Sequence, residues 1–376
     1  MIFHEKVAYD YFQKLFASKH KLVDSFHRLN HYELKKIRKI ENRANLFAGL
    51  FGALGVILLY LPIHLKPDLF PFVNVNMPWI GLIAFPWAYT LYMIFLAMAE
   101  ILALTWLNLV IVHAICRVCG FPTTQDGDYE VHIQTLFEVS LDKRNKDSLK
   151  LGINPLAGVS GYTVLFFSTL FILKATLSNF LIKFLLKRMF SRVAMVGYAI
   201  YVDYISIIIF AAWNIYATRI IVNEAKTRIM APNLIAQLVI RLHHEFKEEP
   251  LFKEMLLDVL QFIAVAKRNF HHNHYLLAER IVAQFALIRH GEIKIDQNIL
   301  LTKINNLPPH VKQGIAKLFV LGILIDGKVS QRELYLLAIL RKQGVLQLSN
   351  KQLRIWEKDF TVGRGLDELF QKGVPL

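Results

Sequence analysis

Long apolar tracts fill much of the chain between residues 45 and 221, and the polar, helix-patterned residues that follow contain no further tract of this kind. Residues 45–64 and residues 79–99 contain no Asp, Glu, Lys or Arg. Because an α-helix rises ~1.5 Å per residue, a helix of either length can cross the ~30 Å hydrocarbon core of a bilayer. The content of hydrophobic residues, 55%, also exceeds the ~45–50% that is usual in soluble domains. The sequence therefore predicts an integral membrane protein.

The apolar tracts predict an all-α fold with about four transmembrane helices, followed by a cytoplasmic helical bundle. The predicted spans are residues 45–64, 79–116, 159–182 and 193–221. Pro86 and Glu100 interrupt the second tract, and dividing this tract into two crossings gives five spans as the alternative. The more basic residues 117–158 favour a single crossing that leads into a cytoplasmic connection.

The distribution of the +15 net charge predicts the orientation in the membrane. Ten Lys and Arg residues precede residue 45, whereas the connection over residues 65–78 contains only Lys66. Because Lys and Arg are enriched in cytoplasmic loops, we expect both termini in the cytoplasm. A second basic group would then lie outside, unless it forms an amphipathic surface helix or an incomplete hairpin. This group consists of Lys183, Lys187, Arg188 and Arg192.

Residues 1–44 are predicted to form a basic cytoplasmic helical segment. Five basic side chains lie just before the first span: Lys35, Lys36, Arg38, Lys39 and Arg43. Such a cluster either orients the protein in the membrane and attracts lipid headgroups, or it binds nucleic acid. We favour the lipid interpretation, because no aromatic or motif context for base recognition accompanies the cluster.

Ionisable residues inside predicted spans are candidates for function, because a charge near the bilayer centre costs at least ~2.5–3.5 kcal/mol on insertion scales. Glu100, Lys174 and Asp203 are such residues. Lys174 and Asp203 each lie well inside a neighbouring span and could pair with each other. They indicate either an ion or proton path, or helix registry, snorkelling at the interface or a span boundary misplaced by a few residues. We favour the structural interpretations, because a transporter would normally show internal repeats or Gly/Pro-broken helices in matching positions, and the sequence shows none.

The only two cysteines form the sequence Cys116-Arg117-Val118-Cys119 at the end of the second tract. This spacing is compatible with a redox or metal-binding pair. A structural zinc site needs four ligands, however, and only His113 and His132 lie nearby in the sequence. Two semi-buried thiols at a helix end in a reducing compartment are the alternative that we favour.

After residue 221 the apolar residues recur at three- and four-residue spacing, which predicts helices. Residues 222–249 are predicted as a linker helix that Ala231-Pro232-Asn233 interrupts, and residues 250–376 as a separate helical domain. The predicted helices are residues 233–247, 251–267, 274–290, 296–305, 309–325, 330–343 and 349–360. We expect residues 231–365 to fold without the membrane, because such a bundle can bury its own core.

The segment Ile325-Asp326-Gly327-Lys328-Val329-Ser330-Gln331-Arg332-Glu333 joins two of these helices. Its Asp-Gly pair suits a turn with one residue in the left-handed conformation. Ser330 and Glu333 have the spacing of a capping box, in which the two residues satisfy the free amide groups at a helix start. Capping alone explains this segment.

At these residues the chain resembles the TerB-like (tellurite-resistance) family, whose helical repeats carry an Asp-Gly turn followed by Glu. The resemblance continues through Gly344 to Phe360, where Leu348-Ser349 starts the next helix. A weaker version of the turn occurs within residues 262–279, with Asn269-Phe270 in place of Asp-Gly. The resemblance covers about residues 250–365 and implies a helical domain that acts in the bacterial stress response.

Some members of this family bind divalent metal through acidic turn residues, and the resemblance then implies Asp326 and Glu333 as ligands. In this chain the first turn carries Asn and His instead of acids, and we favour capping without metal at the second turn. His271, His272 and His274 cannot all face one ion on a regular helix, so we expect them to form a solvated helix start.

Two functional hypotheses follow. The first is a non-enzymatic scaffold or stress sensor, anchored in the membrane, whose TerB-like domain binds cytoplasmic proteins. The second is a small ion or solute transporter or channel with a regulatory C-terminal domain. The chain has no catalytic motif that indicates an enzyme. We expect the bilayer and cytoplasmic proteins as partners, no nucleic acid and no cofactor, with a homo-oligomer left open.

Overall fold

The computed structural model describes residues 3–16, 29–71, 73–77, 81–85, 87–122, 128–141, 199–267, 271–287 and 297–366. These residues are almost entirely helical. The helices before the C-terminal region are α1 (Phe3–Phe16), α2 (His31–Leu65), α3 (Trp87–Cys119), α4 (Tyr129–Ser140) and α5 (Ala199–Phe246). The helices that follow are α6 (Pro250–Lys267), α7 (His272–Gln284), α8 (Gln297–Asn305), α9 (Pro309–Leu324), α10 (Gln331–Lys342) and α11 (Asn350–Val362).

Three segments are long and apolar enough to cross a membrane. They are His31–Pro62 in α2, Trp87–Cys119 in α3 and Ser206–Phe246 in α5. They correspond to the first, second and fourth predicted spans. The third predicted span, residues 159–182, lies outside the described residues, as does most of the predicted connection over residues 117–158 apart from α4.

The described residues confirm the predicted helical fold, and they also contain a two-stranded hairpin that the sequence did not predict. Strand β1 (Val73–Met77) pairs antiparallel with strand β2 (Gly81–Phe85), in a register that places Met77 opposite Gly81. The second apolar tract is therefore divided, and its helix begins at Trp87 instead of residue 79. The sequence offers a physical reason, because the residue before a proline avoids the helical conformation and Phe85 precedes Pro86.

Helix α5 continues through Pro232, so the prediction that Ala231-Pro232-Asn233 breaks the helix is wrong. A proline inside a helix removes a backbone hydrogen bond and costs ~3 kcal/mol. Leu234, Ile235 and Leu238 are buried on the turns that follow. Because each buried aliphatic side chain contributes ~1.5–3 kcal/mol, this burial outweighs the cost of the proline. The predicted linker over residues 222–249 thus belongs to a helix whose side chains form part of a core.

Contacts divide the chain into two compact units. The first, which we call the helical unit, comprises Met1–Arg38, Val112–Val159 and Ile221–Leu376. The second, which we call the apolar unit, comprises Lys39–Ile111 and Ser160–Ile220. The helical unit therefore takes in α1, α4 and the last part of α5, in addition to the helices that the sequence assigned to a C-terminal domain.

Close helix packing characterises the apolar unit. A Cβ atom placed on Gly52 of α2 would lie 2.6 Å from the carbonyl oxygen of Phe210 in α5. Only a residue without a side chain permits this approach, which is the packing mode of small residues between membrane helices. Gly49 and Gly55 stand one turn to either side and face Ile215 and Glu100.

The large exposed apolar side chains of α3 all lie between Trp87 and Trp106. They are Trp87, Leu91, Ile94, Phe95, Met98, Leu102 and Trp106. From Trp87 to Trp106 the helix rises ~30 Å, the thickness of the hydrocarbon core, and Trp is the residue enriched at both membrane interfaces. After Trp106 the helix is mostly buried, with Val112, Ile115 and Cys116 fully enclosed. The stretch suited to lipid is therefore shorter than the predicted span of residues 79–116.

Aromatic side chains fill the core of the helical unit. Phe246 of α5 stacks on Phe252 of α6 with ring centroids 4.3 Å apart. Phe262 of α6 meets Phe319 of α9 edge to face at 5.3 Å. Helix α1 packs on α4, where the rings of Phe12 and Phe137 lie 5.9 Å apart.

The segment before α2 is bound to the end of α11. The Leu29 amide donates to the Gly363 carbonyl at 2.8 Å. Gly363 ends α11 in the left-handed conformation, with φ +82°. A Cβ at Gly363 would lie 2.6 Å from Cδ1 of Leu29, so the contact depends on glycine.

Candidate functional site

Two turns of the helical unit meet at a group of buried polar side chains. The first turn connects α6 to α7, and the second connects α9 to α10. We call the group the turn junction and define it as Lys267, Asn273, His274, Asp326 and Glu333. It contains the two residues, Asp326 and Glu333, that the sequence proposed as metal ligands.

The ammonium group of Lys267 lies at the centre of the turn junction. Its Nζ donates to the carbonyl oxygens of Ile323 at 2.9 Å and Lys328 at 2.8 Å, and to Oδ1 of Asp326 at 2.7 Å. Oε1 of Glu333 lies 2.6 Å from the same nitrogen as an ion pair. Only 5% of the Lys267 side chain is exposed. Four oxygens thus surround a cation that the chain itself supplies.

Glu333 has two roles in this arrangement. Its Oε2 accepts from the Ser330 amide at 2.7 Å and from the Ser330 hydroxyl at 2.7 Å, and the Glu333 amide donates to that hydroxyl oxygen at 3.3 Å. This is the capping box that the sequence predicted, and it is confirmed. The other carboxylate oxygen pairs with Lys267. Burial raises the pKa of Glu333 above its usual value, and the nearby ammonium of Lys267 only partly opposes this.

The first turn caps the end of α9. A helix leaves its last carbonyl groups without partners inside the helix. Here the Gly322 carbonyl accepts from Nε2 of His274 at 2.7 Å, and the Ile325 carbonyl accepts from Nδ2 of Asn273 at 2.6 Å. Nζ of Lys267 donates to the Ile323 carbonyl. Polar residues of one turn therefore complete the hydrogen bonding of the other.

Gly327 allows the second turn to close against α5. Its φ is +70°, a conformation that L side chains rarely adopt, as the Asp-Gly sequence predicted. A Cβ at Gly327 would also lie 2.7 Å from Oγ1 of Thr227. The Thr227 carbonyl in turn accepts from Asn273 at 3.2 Å. Both turns are thus fixed to α5.

A second polar contact connects α5 with the start of α7. Nδ1 of His271 accepts from the Asn273 amide at 3.1 Å, so Nε2 carries the proton and donates to Oε1 of Glu224 at 2.6 Å. Arg228 donates through Nε to the same Glu224 oxygen at 2.8 Å and to the Thr135 carbonyl of α4 at 3.1 Å. Three helices therefore meet through charged side chains that are largely enclosed.

The expectation of a solvated histidine start is wrong for two of the three residues. His272 and His274 are buried, and His271 is partly buried. Burial lowers the pKa of both His272 and His274 to about 3, with positive neighbours adding to the effect, Arg228 for His272 and Lys267 for His274. Both imidazoles are therefore neutral at physiological pH. Nε2 of His274 donates to the Gly322 carbonyl, and Nε2 of His272 lies 3.5 Å from the Thr135 hydroxyl oxygen.

The donor set of the turn junction does not fit a divalent metal. The carboxylates of Asp326 and Glu333 do converge, as metal ligands must, but they converge on Nζ of Lys267. A metal ion would have to displace a buried ammonium that already satisfies these oxygens. Within the described ranges, moreover, no group of three or more His, Cys, Asp or Glu side chains could hold a metal ion.

The cysteine pair lies at the end of α3. Cys116 is buried and Cys119 is partly buried, and both thiols are free. The two histidines nearest in sequence contact aromatic rings: His113 lies 5.0 Å from the ring of Phe16, and His132 lies 4.8 Å from that of Phe121. The choice between a redox or metal-binding pair and two structural thiols therefore stays a prediction.

Of the intramembrane candidates, only Glu100 has a described side chain. Its Oε1 accepts from Nδ2 of Asn214 in α5 at 2.8 Å. A Cβ at Gly55 of α2 would lie 3.2 Å from its Oε2, so three helices meet at this carboxylate. Asp203 belongs to α5, but its side chain lies outside the described residues, and so does the whole of Lys174.

Sequence reasoning missed Lys267, Asn273 and Asn214. Lys267 stands in the last turn of a helix, a position that usually indicates an interaction with the helix dipole. Its acidic partners, Asp326 and Glu333, lie 59 and 66 residues further on, and no local sequence pattern connects them with Lys267. For Asn273 a signal existed, because Asn269, His271 and Asn273 form an unusual polar stretch between two apolar helices.

We expect Ser330→Ala to lower the free energy of unfolding of the helical unit by ~0.5–2 kcal/mol, the usual loss for a helix N-cap. The loss should lie at the upper end, because the buried Glu333 also loses a hydroxyl donor. Pulse proteolysis of the detergent-solubilised full chain in urea measures it. Ser349→Ala is the matched control, since Ser349 caps α11 without an acidic partner in its capping contact. Equal losses for the two variants would contradict this account of Glu333.

We expect calcium, zinc and a chelator to leave the unfolding midpoint of the full chain unchanged. Lys267 already neutralises the oxygens that a metal would need. A ligand at a hundred times its dissociation constant would stabilise the chain by ~2.7 kcal/mol, which a thermal melt easily detects. A metal-dependent rise in Tm that Asp326→Ala abolishes would show that a cation does reach the turn junction.

The comparisons with known proteins add no relative. A scan against protein-family models finds no match, and searches of curated proteins and of solved structures find none either. The resemblance to TerB-like domains over about residues 250–365 therefore stays a prediction, and its most specific part is the turn over residues 325–333.

Proposed function

We propose that this protein is a non-enzymatic scaffold of a bacterial inner membrane, in which apolar helices anchor a TerB-like helical domain that binds other proteins at the cytoplasmic face. The proposed setting is a stress response, as the family resemblance implies. The observation that carries the proposal is the turn junction. Its charged side chains neutralise and cap one another, which supports a structural role for this part of the domain.

The anchoring part of the proposal is supported by α2, α3 and α5, which are long and apolar enough to cross a membrane. Reporter fusions test the orientation. A fusion at residue 70 should report an external loop, and a fusion at residue 376 should report the cytoplasm, because basic residues are concentrated before residue 45. An external C-terminus would overturn the cytoplasmic placement of the domain.

The binding part is tested by affinity capture from detergent-solubilised membranes. Truncation at residue 230 would cut α5 inside the core, so a point variant is the better probe. Lys267→Met should lower the stability of the helical unit by about 3–5 kcal/mol and leave the apolar helices intact, so capture is made at a temperature at which only the helical unit of this variant is unfolded. Lys303→Met is its control, because Lys303 forms an exposed ion pair with Asp258. We expect a partner protein that the wild type and Lys303→Met retain and that Lys267→Met loses. Retention by all three chains would contradict a role for the helical unit in binding.

A transporter is the second candidate, and the contact of Glu100 with Asn214 favours it. A carboxylate at this depth in an apolar helix is costly and is often part of an ion path. The alternative is registry between α2, α3 and α5, in which Asn214 and Gly55 fix the position of Glu100. Ion flux through the reconstituted protein decides between the two. Flux that is lost in Glu100→Gln or Asp203→Asn, but kept in the exposed control Glu254→Gln, would favour transport over the scaffold.

A further inference from the structure

We infer that one face of α2 binds the headgroups of anionic phospholipids. The residues are Lys35, Lys36, Lys39 and Arg43, which we call the basic stripe. All four side chains are exposed. The inference rests on the proposed membrane anchoring and adds a lipid specificity to it.

The basic stripe lies on one side of the helix. With ~100° between successive residues, its four members fall within about 100° of arc. The neighbouring acids, Glu33 and Glu41, fall outside this arc. Glu33 is also occupied in capping α2, where its carboxylate accepts from the Asn30 amide at 2.8 Å. The arc therefore presents positive charge without an acidic side chain of α2 among it.

The same arc continues into the apolar surface of α2. Leu46, Leu50 and Leu54 occupy it one to three turns after Arg43, and all three are exposed. The change from Arg43 to Leu46 takes less than one helical turn, or ~4.5 Å. An exposed helix face that changes so abruptly from charge to hydrocarbon marks the boundary between water and the bilayer core.

The position of this boundary determines which layer of the bilayer lies next to the basic stripe. The headgroup layer of a bilayer is ~5–8 Å thick on each side of the hydrocarbon core. Arg43 lies inside that layer, Lys39 lies at its edge, and Lys35 and Lys36 lie within about one Debye length of it. Arg can bind a phosphate with two parallel hydrogen bonds, and Lys supplies a point charge. Juxtamembrane basic segments of this kind attract anionic leaflets.

Lipid suits these residues better than nucleic acid. A nucleic-acid surface would combine its charge with groups that stack on or read bases. Here the stripe is followed by exposed leucines, which suit hydrocarbon and not a phosphate backbone. Tyr32, the aromatic residue beside the stripe, already holds Nζ of Lys36 4.3 Å from its ring centroid. A lipid headgroup also brings its own acyl chains to the adjacent apolar surface, which a free phosphate ion does not.

The test uses the purified full chain. Detergent micelles are supplied with equimolar phosphatidylcholine and phosphatidylglycerol, the protein is isolated again, and mass spectrometry measures the bound lipids. We expect the bound ratio of phosphatidylglycerol to phosphatidylcholine to exceed the supplied ratio by about threefold or more. Changing the four stripe residues to Gln should return the ratio to that of the micelle. Raising the salt to about 0.5 M should weaken the preference of the wild type, because screening shortens the reach of the charges.

The matched control changes four exposed lysines elsewhere to Gln, namely Lys247, Lys342, Lys351 and Lys358. This variant loses the same charge and should keep the preference. Equal loss in both variants, or no preference in the wild type, would overturn the inference. Displacement of the lipid by an oligonucleotide or by inorganic phosphate at matched ionic strength would also overturn it.

Two further measurements test the inference without the fourfold variant. If the fourfold variant does not fold, Lys39→Gln with Arg43→Gln alone should still remove most of the preference, and the salt dependence of the wild type needs no variant. A chain that sediments with membranes but shows no lipid preference refutes this inference alone. A chain recovered in the soluble fraction refutes the proposed anchoring itself.

Discussion

Replacing Lys267 with Met is expected to lower the free energy of unfolding of the helical unit by about 3–5 kcal/mol, the usual cost of removing one partner from a buried ion pair. Met keeps much of the length of the side chain and removes the charge. Asp326 and the fully buried Glu333 would then face each other without a counter-ion, and the carbonyls of Ile323 and Lys328 would lose their donor. Pulse proteolysis in urea, with the full chain in detergent, measures the loss.

Two control variants distinguish the cost of leaving a buried charge unpaired from the cost of losing an exposed ion pair. Lys303→Met removes an exposed ion pair with Asp258 and should cost less than ~1 kcal/mol. Combining Lys267→Met with Glu333→Gln and Asp326→Asn should recover part of the loss, because no unpaired charge then stays buried. A loss below ~1 kcal/mol for Lys267→Met itself would show that the ammonium is not central to the turn junction.

Acid is expected to destabilise the helical unit through two buried histidines. The pKa of His272 and that of His274 are lowered to about 3 in the folded chain, against 6.5 in the unfolded chain. Between these values the unfolded chain binds more protons, so the stabilisation is complete above pH 6.5 and is lost as the pH falls. At pH 5 each histidine should cost ~2 kcal/mol, and the pair ~4 kcal/mol, relative to pH 8.

Neighbouring groups modify this dependence without reversing it. His272 faces Arg228, His271, His132 and Glu224, and the main cause of its lowered pKa is burial. The raised pKa of Glu333 acts in the opposite direction, because the folded chain takes up that proton more readily than the unfolded chain does. The observed loss should therefore be somewhat smaller than the sum for the two histidines.

The measurement is the change in the urea midpoint between pH 8 and pH 5. The double variant His272→Gln with His274→Gln should show a much flatter dependence, whatever its stability at pH 8. His244→Gln, at an exposed position of α5, should keep the dependence of the wild type. If the double variant kept the full dependence, other groups would have to be responsible for it.

The helices of the C-terminal region were predicted closely because their signals are local. The predicted helix over residues 251–267 is observed as Pro250–Lys267, and the one over residues 349–360 as Asn350–Val362. Ser349 and Ser330 act as N-caps at the positions that the sequence indicates. Caps and periodicity involve residues three or four apart, so a single sequence contains them in full.

The features that sequence reasoning missed depend on residues far apart in the chain. His274 is buried because it caps a carbonyl at Gly322, forty-eight positions away. Pro232 is tolerated because the following turns are buried in a core, which local propensity cannot reveal. For the hairpin, by contrast, the run of apolar residues after Met77 was read as helix because short apolar runs look alike in strands and helices.

The bond between Leu29 and Gly363 has a consequence for the order of assembly. The two residues stand more than 330 positions apart, and their contact lies within the helical unit. At ~5–20 residues per second, the ribosome needs roughly 17–67 s to reach Gly363 after Leu29 has been made. During that time the first apolar helix is already available for insertion, while the docking position of Leu29 does not yet exist. The helical unit therefore completes its fold only after Gly363 has been made, and until then Leu29 lacks this partner.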